Sequence, residues 1–272
     1  MKLVVCIKQV PMVTELPWNA ETGNLRRDLS EGVMNQACKH ALEAALKLKE
    51  SYGGHITAIT MGPPQAKEVL FEASAMGADV GVLISDRAIA GCDTLATSYT
   101  LACAIKKACP DFDLILCGCY TSDSETGQVG PQLAEDLNLP EVAWVEYMEK
   151  NGETLSVTRQ ADGFLETLEF DLPGLVTIST KRYLPRYISF SDINTSFDDA
   201  DIITLDARAI DADPVKIGPA GSPTKIIGIS STKSGKKNVV LKGPAKKVAH
   251  ELFERFGERI AGAIGKDMAK GS

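Results

Sequence analysis

Short apolar segments alternate with longer amphipathic ones through the first half of the chain, and this alternation restricts its fold more than any other feature. Each short segment is bounded by Gly, Pro or polar residues, as strands are, and these strands are predicted at Lys2–Lys8, His55–Met61, Val80–Ile84 and Leu114–Cys117. Helices are predicted between them at 35–50, 65–76 and 94–108, where apolar residues recur at helical spacing. This alternation of strands and helices indicates a doubly wound, parallel α/β sheet.

A different pattern follows Pro140. Four segments with partial apolar and polar alternation are predicted as strands: Glu141–Met148, Glu153–Thr158, Phe164–Phe170 and Leu175–Thr180. Asn151-Gly152 and Asp162-Gly163 lie between the first three, and both dipeptides favour tight hairpin turns. We therefore expect an antiparallel β ribbon, at about 141–181, attached to the edge of the parallel sheet, so that 1–185 forms one α/β domain.

The remaining segment, 186–272, is less regular. Residues 191–214 are acidic, and 217–223 are rich in Gly and Pro. An amphipathic helix is predicted over 244–265. We expect an extended C-terminal arm that ends in this helix and packs either on its own domain or across a partner chain.

Composition excludes several classes of protein. The net charge is −7, which disfavours a nucleic-acid surface. No apolar run approaches the roughly 20 residues of a membrane span. The apolar core of the first segment is too short for a secretion signal. Seven scattered cysteines lack the spacing of a metal site and fit a reducing cytoplasm.

The segment between the strand at 114–117 and the next helix contains the candidate binding loop. Its strand stops at Gly118, a loop rich in Ser and Thr follows, and a helix begins near Gln128. Hydroxyls and helix-start N–H groups at the carboxyl edge of a parallel sheet can hold a phosphate. An ordinary polar loop with a Ser/Thr helix cap is the alternative. The loop lacks the patterns of the P-loop and the dinucleotide fingerprint.

Eight segments, in order along the chain, resemble the small (β) subunit of electron transfer flavoproteins. Their sequences are similar to those of the anaerobic bacterial branch of this family. They are MKLVVCIKQVP at the start, Glu21-Thr-Gly-Asn-Leu-Arg26, Ala41-Leu-Glu-Ala-Ala-Leu-Lys-Leu-Lys-Glu50, Met61-Gly-Pro-Pro-Gln-Ala66, Ala75-Met-Gly-Ala-Asp79, Asp93-Thr-Leu-Ala-Thr-Ser-Tyr99, Asp123-Ser-Glu-Thr-Gly-Gln-Val-Gly-Pro131 and Pro185-Arg-Tyr187.

The resemblance implies a heterodimer with a large α subunit that holds most of one FAD. The β subunit has its own adenine-nucleotide pocket, which contains a second FAD in electron-bifurcating members and a structural AMP in simple carriers. A bifurcating member passes electrons from NADH to the α-subunit FAD, and so to an acyl-CoA dehydrogenase-type partner, and also to ferredoxin or flavodoxin. The resemblance implies no catalytic side chain, and it implies that 186–272 serves as a partner-recognition loop and an arm on the large subunit.

Carried over by position, the resemblance implies a set of cofactor-binding residues in four places. They are Cys6 on the first strand, Asn35, Gln36, Ala37 and Cys38 at the first helix, Met61 at the end of the next strand, and Thr121, Ser122, Asp123, Ser124, Glu125, Thr126, Gly127, Gln128 and Val129 in the phosphate loop. Within this loop, we expect Asp123 to orient the backbone rather than to contact an anion.

Three positions depart from the family pattern. Gln36 stands where Pro is usual, Cys119-Tyr120 stands where a cation and Gln are usual, and the segment 189–201 is acidic where the family is basic. A stand-alone adenine-nucleotide sensor of the universal-stress type remains an alternative with the same sheet order, although such proteins are shorter. An adenylating enzyme would need a Ser-Gly-Gly-x-Asp-Ser loop after the first strand, where this chain has Lys8-Gln9-Val10-Pro11.

Overall fold

The computed structural model describes residues 1–12, 32–225, 227 and 239–268, with the side chains of the last helix described as far as 262. The chain divides into two compact units, Met1–Gly228 and Ile229–Ser272. The Glu21–Arg26 motif lies outside the described residues. None of the helices in the described ranges is both long enough and apolar enough to cross a membrane.

The first unit is built on a large sheet whose described strands number nine. In chain order the strands are β1 (Lys2–Cys6), β2 (Gln9–Pro11), β3 (Gly32–Met34), β4 (His55–Met61), β5 (Val80–Ile84), β6 (Leu114–Gly118), β7 (Glu141–Asn151), β8 (Thr154–Ala161), β9 (Phe164–Asp171), β10 (Gly174–Ile178) and β11 (Ile202–Leu205). The sheet order is β11-β5-β4-β1-β6-β10-β7-β8-β9, and β2 pairs with β3 separately. Pairing is parallel from β11 to β7 and antiparallel through β8 and β9.

Helices cover both faces of this sheet. They are α1 (Gln36–Tyr52), α2 (Lys67–Met76), α3 (Thr94–Ala108), α4 (Val129–Leu137) and α5 (Phe190–Asp199), and α6 (Ala245–Met268) belongs to the second unit. Leu3 and Val5 of β1 pack towards α1 and α2, whereas Val4 and Cys6 pack towards α3 and α4. The strand period of two therefore supplies two cores, one on each face, and the doubly wound α/β prediction is confirmed.

Local sequence signals account for the ends of these elements. Asp93 caps α3 by accepting a hydrogen bond from the N–H of Ala96 at 3.0 Å. Gly77 ends α2 with a φ of 120°, a conformation that a side chain disfavours. The predicted hairpins between β7, β8 and β9 are also present, and both turns have Gly at positive φ.

Two strands differ from the sequence expectation. β10 lies inside the parallel sheet, between β6 and β7, instead of continuing the antiparallel ribbon. All five of its residues are buried. A strand that is covered on both faces is apolar throughout, so its sequence does not show whether it belongs to the parallel sheet or to the ribbon. β11 is a four-residue edge strand parallel to β5. Its Ile-Ile-Thr-Leu sequence was not predicted as a strand because it is short and lies within an acidic segment.

The segment 186–228 lies within the first compact unit, whereas the sequence interpretation groups it with the C-terminal arm. α5 packs on α2, where the rings of Phe71 and Phe197 lie 4.8 Å apart. Ile210 and Ile217 are buried with the α3 core. The role of this segment in partner recognition stays a prediction.

Candidate functional site

The candidate site lies at the carboxyl ends of β1 and β6, where the strand order reverses. From β1 the chain moves outward through β4 to β5, and α3 then carries it back to β6 on the other side of β1. Connections that leave neighbouring strands in opposite directions open a crevice at their carboxyl ends, where open α/β sheets bind ligands. The loop 119–128 leaves β6 at this crevice.

Asn35 fixes the beginning of this loop. Its side chain is 1% exposed. The side-chain amide nitrogen donates to the carbonyl of Tyr120 at 2.8 Å, and the amide oxygen accepts from the N–H of Ser122 at 3.1 Å. Asn35 precedes α1 but does not cap it, because its side chain is engaged by the loop instead.

Lys8 brings a positive charge to the same loop. It follows β1, and its Nζ lies 2.8 Å from both carboxylate oxygens of Asp123. The Asp123 side chain is 6% exposed, so this pair is shielded from water on the loop side. Asp123 is thus oriented by a cation from the neighbouring strand, an arrangement that fits the loop-orienting role expected of it.

The rest of the loop is polar and open to solvent. Ser122, Ser124, Glu125, Thr126 and Gln128 are exposed, and the Thr121 and Ser124 hydroxyls lie 2.8 Å apart. Glu125 and Gly127 adopt positive φ. Thr94 at the start of α3 donates to the side chain of Gln128 at 3.0 Å, which ties the end of the loop to the neighbouring helix.

Two helices begin at this edge without a side-chain cap. In neither α1 nor α4 does the N-cap side chain accept a hydrogen bond from an N–H of the first turn. Gly118 brings α1 and β6 together, since a Cβ there would lie 2.7 Å from the carbonyl carbon of Ala37 and 2.8 Å from the nitrogen of Cys38. Uncapped N–H groups and the positive end of the helix dipole favour an anion at such a position.

The residues predicted from the family resemblance lie along this edge, but they differ in what they expose. Gln36 and most of the loop present side chains to solvent, and Met61 is half-buried at the end of β4. Cys6, Ala37 and Cys38 are buried, so a ligand could reach only their backbone.

Three buried thiols of this region, those of Cys38, Cys117 and Cys119, are held protonated. Burial raises the pKa of Cys38, the hydrogen bond from Cys6 raises that of Cys117 well above its usual range, and burial raises the pKa of Cys119 to about 11. All seven cysteines are free. The described residues contain no group of His, Cys, Asp and Glu able to hold a metal ion.

On its far side the loop is flanked by an aromatic pair that the sequence prediction did not include. The rings of Tyr120 and Trp144 are stacked with their centroids 5.9 Å apart. Lys8 was also missed as a site residue. A Lys at the end of the first predicted strand was an available signal, because the carboxyl end of that strand borders the crevice. Trp144 belongs to the ribbon and carries no local signal of its position.

A groove of about 610 Å³ opens elsewhere, at the starting ends of the strands. Lys2, His55 and Val80, the first residues of β1, β4 and β5, line it together with the segment after α3. Since ligands of open α/β sheets bind at the opposite ends, we assign the candidate site to the Asn35-held loop rather than to this groove.

Comparison with known proteins gives a consistent result. The electron transfer flavoprotein domain matches residues 23–209. The electron transfer flavoprotein subunit beta of Clostridium acetobutylicum is 41% identical over 258 residues, which cover 95% of this chain and 98% of that protein. The caffeyl-CoA reductase-Etf complex subunit CarD of Acetobacterium woodii is 37% identical, and the acryloyl-CoA reductase electron transfer subunit gamma of Anaerotignum propionicum is 36% identical, each over 95% of this chain and 99% of the relative.

Proposed function

This chain belongs to the electron transfer flavoprotein family as a β subunit, and from that premise we propose that it holds FAD in the crevice between β1 and β6. With the large α subunit it forms a heterodimer. This heterodimer takes electrons from NADH and passes them through the α-subunit FAD to an acyl-CoA dehydrogenase-type flavoenzyme, and also to ferredoxin or flavodoxin. The names of the Acetobacterium and Anaerotignum relatives, each linked to an acyl-CoA reductase, support a partner of this class.

The observation that carries the proposal is the loop fixed by Asn35 at the switch point. Its exposed hydroxyls and the uncapped starts of α1 and α4 form a donor set suited to phosphate oxygens. Lys8 neutralises Asp123, which removes one obstacle to an anion. Glu125 is exposed, so its charge can remain in solvent. The residues present therefore fit the phosphate portion of an adenine nucleotide.

The chain contributes binding and electrostatics to this function, whereas a bound flavin supplies the redox chemistry. Asn35 holds the loop in register, and the backbone and hydroxyls of 121–128 bind phosphate. Gly118 keeps α1 close enough for its first N–H groups to face the crevice. The protonated thiols beneath the site provide apolar packing without charge. No side chain acts as nucleophile or general acid.

A structural AMP in place of the FAD is the alternative, and cofactor content distinguishes the two. The chain is co-expressed with the large subunit, and the purified heterodimer is denatured so that FAD and AMP can be counted. We expect two FAD and no AMP for each heterodimer. One FAD with one AMP would identify a simple carrier, and the absence of any nucleotide from this chain's site would contradict the proposal.

Recognition of the dehydrogenase-type partner is assigned to α5. Phe190 is 84% exposed at the beginning of this helix, and Ile193 is also exposed. The segment carries Asp192, Asp198 and Asp199. An apolar group surrounded by carboxylates fits a partner surface with an apolar pocket and a basic rim.

The assignment of α5 is tested by steady-state turnover with the cognate dehydrogenase. Phe190→Ala should raise the KM for the partner about tenfold, because an anchor in an interface contributes on the order of 1–2 kcal/mol. Its cofactor content should not change. Phe164→Ala, which removes another exposed ring (73%) from β9, is the matched control. Equal KM values for the two variants would place recognition elsewhere.

The arm that ends in α6 is assigned to the large subunit. Leu252 is 40% exposed and Phe253 is 62% exposed in this helix. An amphipathic helix with uncovered apolar side chains needs a surface to cover them. Deletion of 245–272 should lower the yield of heterodimer in co-purification, and an unchanged yield would contradict this part of the proposal.

A further inference from the structure

Trp144 has a backbone conformation that its side chain disfavours. Its φ is 61°, in the left-handed region that Gly and Asn tolerate but a bulky aromatic residue does not. Between Val142 and Val145, β7 carries one residue more than the opposing stretch of β10, so Trp144 lies in a β-bulge. Conformations of this kind persist where the surrounding structure holds them, and they concentrate at functional sites.

Two neighbours hold the bulge in place. The N–H of Trp144 donates to the hydroxyl of Thr177 at 2.9 Å, and Thr177 is 2% exposed. Gly130, in the first turn of α4, lies against the same side chain, since a Cβ there would be 2.5 Å from the Thr177 methyl carbon. The bulge thus contacts the residue on which the helix after the phosphate loop is packed.

The indole ring of Trp144 extends from the bulge to Tyr120, the loop residue that precedes the phosphate-binding part 121–128. It stacks on Tyr120, with an interplanar angle of 26°, and Trp144 remains 47% exposed. The carbonyl of Tyr120 is the group that accepts the hydrogen bond from Asn35. Tyr120 is therefore held through its backbone from the start of α1 and through its ring from β7.

We propose that Trp144 is a positioning residue of the nucleotide site, which sets the loop 121–128 for phosphate binding through its stack on Tyr120. The inference rests on the proposed function, because it assigns Trp144 a role in the site that binds the adenine nucleotide. The ribbon thereby becomes part of the binding site without contacting the ligand. A loop held on both sides pays less conformational entropy when a phosphate binds.

Three variants separate the ring from the backbone. Trp144→Ala removes the stack and keeps a side chain at positive φ, Trp144→Gly removes the stack and relieves the strain, and Trp144→Phe preserves an aromatic ring. Phe164→Ala removes an exposed aromatic from the same ribbon, away from the loop. Each variant heterodimer is stripped of nucleotide and titrated calorimetrically with AMP, and its melting temperature is measured.

We expect the Ala and Gly variants to bind AMP about tenfold more weakly, although Gly melts at a higher temperature than Ala because it tolerates the left-handed conformation. The Phe variant and the Phe164 control should bind within twofold of the unaltered protein. A role confined to stability would move the melting temperatures and leave the AMP affinity unchanged. Affinities of the Ala and Gly variants within twofold of the unaltered protein would overturn the inference.

Hydrogen exchange of the nucleotide-free heterodimer gives a test that does not depend on binding. Trp144→Ala should speed the exchange of the amides in 119–128 about tenfold, and Phe164→Ala should not. Unchanged loop exchange would overturn the positioning role even if nucleotide binds. Failure of the unaltered protein to bind AMP or FAD, together with faster loop exchange in Trp144→Ala, would refute the proposed function and leave the positioning role supported.

Discussion

Asn35→Ala is the substitution that tests the site most directly. It deletes a side chain that is 1% exposed and makes two hydrogen bonds to the loop backbone, of 2.8 and 3.1 Å. Each such bond contributes about 1 kcal/mol, and more when its partner is left without a replacement. Ser122 is exposed and Tyr120 half-buried, so water can replace part of the loss.

The free energy of unfolding should therefore fall by about 2–3 kcal/mol, which corresponds to a drop of about 5–10 °C in melting temperature for a domain of this size. AMP affinity, measured by calorimetry well below the melting temperature, should fall at least tenfold, because the loop loses its register. Thr94→Ala is the matched control. It removes one exposed hydrogen bond at the other end of the loop, so its stability should change by less than about 0.5 kcal/mol.

Asn35→Asp refines the same test. The introduced carboxyl group still accepts from the N–H of Ser122, but in its ionised form it cannot donate to the carbonyl of Tyr120. Burial favours the protonated form, which regains a donor. The stability difference from the unaltered protein should therefore shrink as the pH is lowered.

If Asn35→Ala unfolded at the expected lower temperature but kept its AMP affinity within twofold, the claim that Asn35 positions the loop for nucleotide would be refuted.

Three further predictions concern the scaffold of the site. Gly118→Ala should lower the free energy of unfolding by about 1–3 kcal/mol in urea titration, since the added Cβ meets the backbone of α1 within 2.8 Å. Hydrogen bonds from backbone N–H groups hold the pKa of Asp86 below its ordinary value of 3.8, so its stabilisation is present above that pH and lost as the pH falls through the lower folded-state value. Acid titrations followed by circular dichroism should show a smaller loss below pH 4 for Asp86→Asn. Arg186→Ala removes the two side-chain bonds to the buried Glu43, of 2.8 and 3.0 Å, and leaves the backbone N–H of residue 186 as a donor. The free energy of unfolding should fall by about 2–3 kcal/mol in urea titration, whereas an unchanged midpoint would show the pair to be dispensable.

Most of the parallel sheet was predictable because each strand and helix has its own local signal. His55–Met61, Val80–Ile84 and the helix at 94–108 have the predicted bounds. These segments combine a clear period with Gly, Pro or capping residues at their ends. The positions of β10 and β11 depend on which neighbour each strand joins, and a short apolar run carries no such information.

In the candidate site, too, local features were predictable and long-range contacts were not. The Ser- and Thr-rich loop after β6 is visible in the sequence as a polar interruption between a strand and a helix. The bonds from Asn35 and Lys8 that hold it connect residues 85 to 115 positions apart. Trp144 stacks on Tyr120 from a bulge in β7, where its backbone has an unfavourable conformation. Contacts that depend on tertiary strain of this kind leave no periodic pattern in the sequence.

The central position of β1 has a consequence for the order of events during synthesis. β1 leaves the ribosome before both of its neighbours, because it pairs with β4 on one side and with β6, more than 100 residues later, on the other. The crevice and the Asn35 bonds to the loop cannot form until β6 and Ser122 have emerged. Long-range closure of this kind is slow, and until β6 emerges one edge of β1 remains unpaired. The nucleotide site therefore cannot form before β6 has joined β1, and its occupancy reports that these two strands have paired.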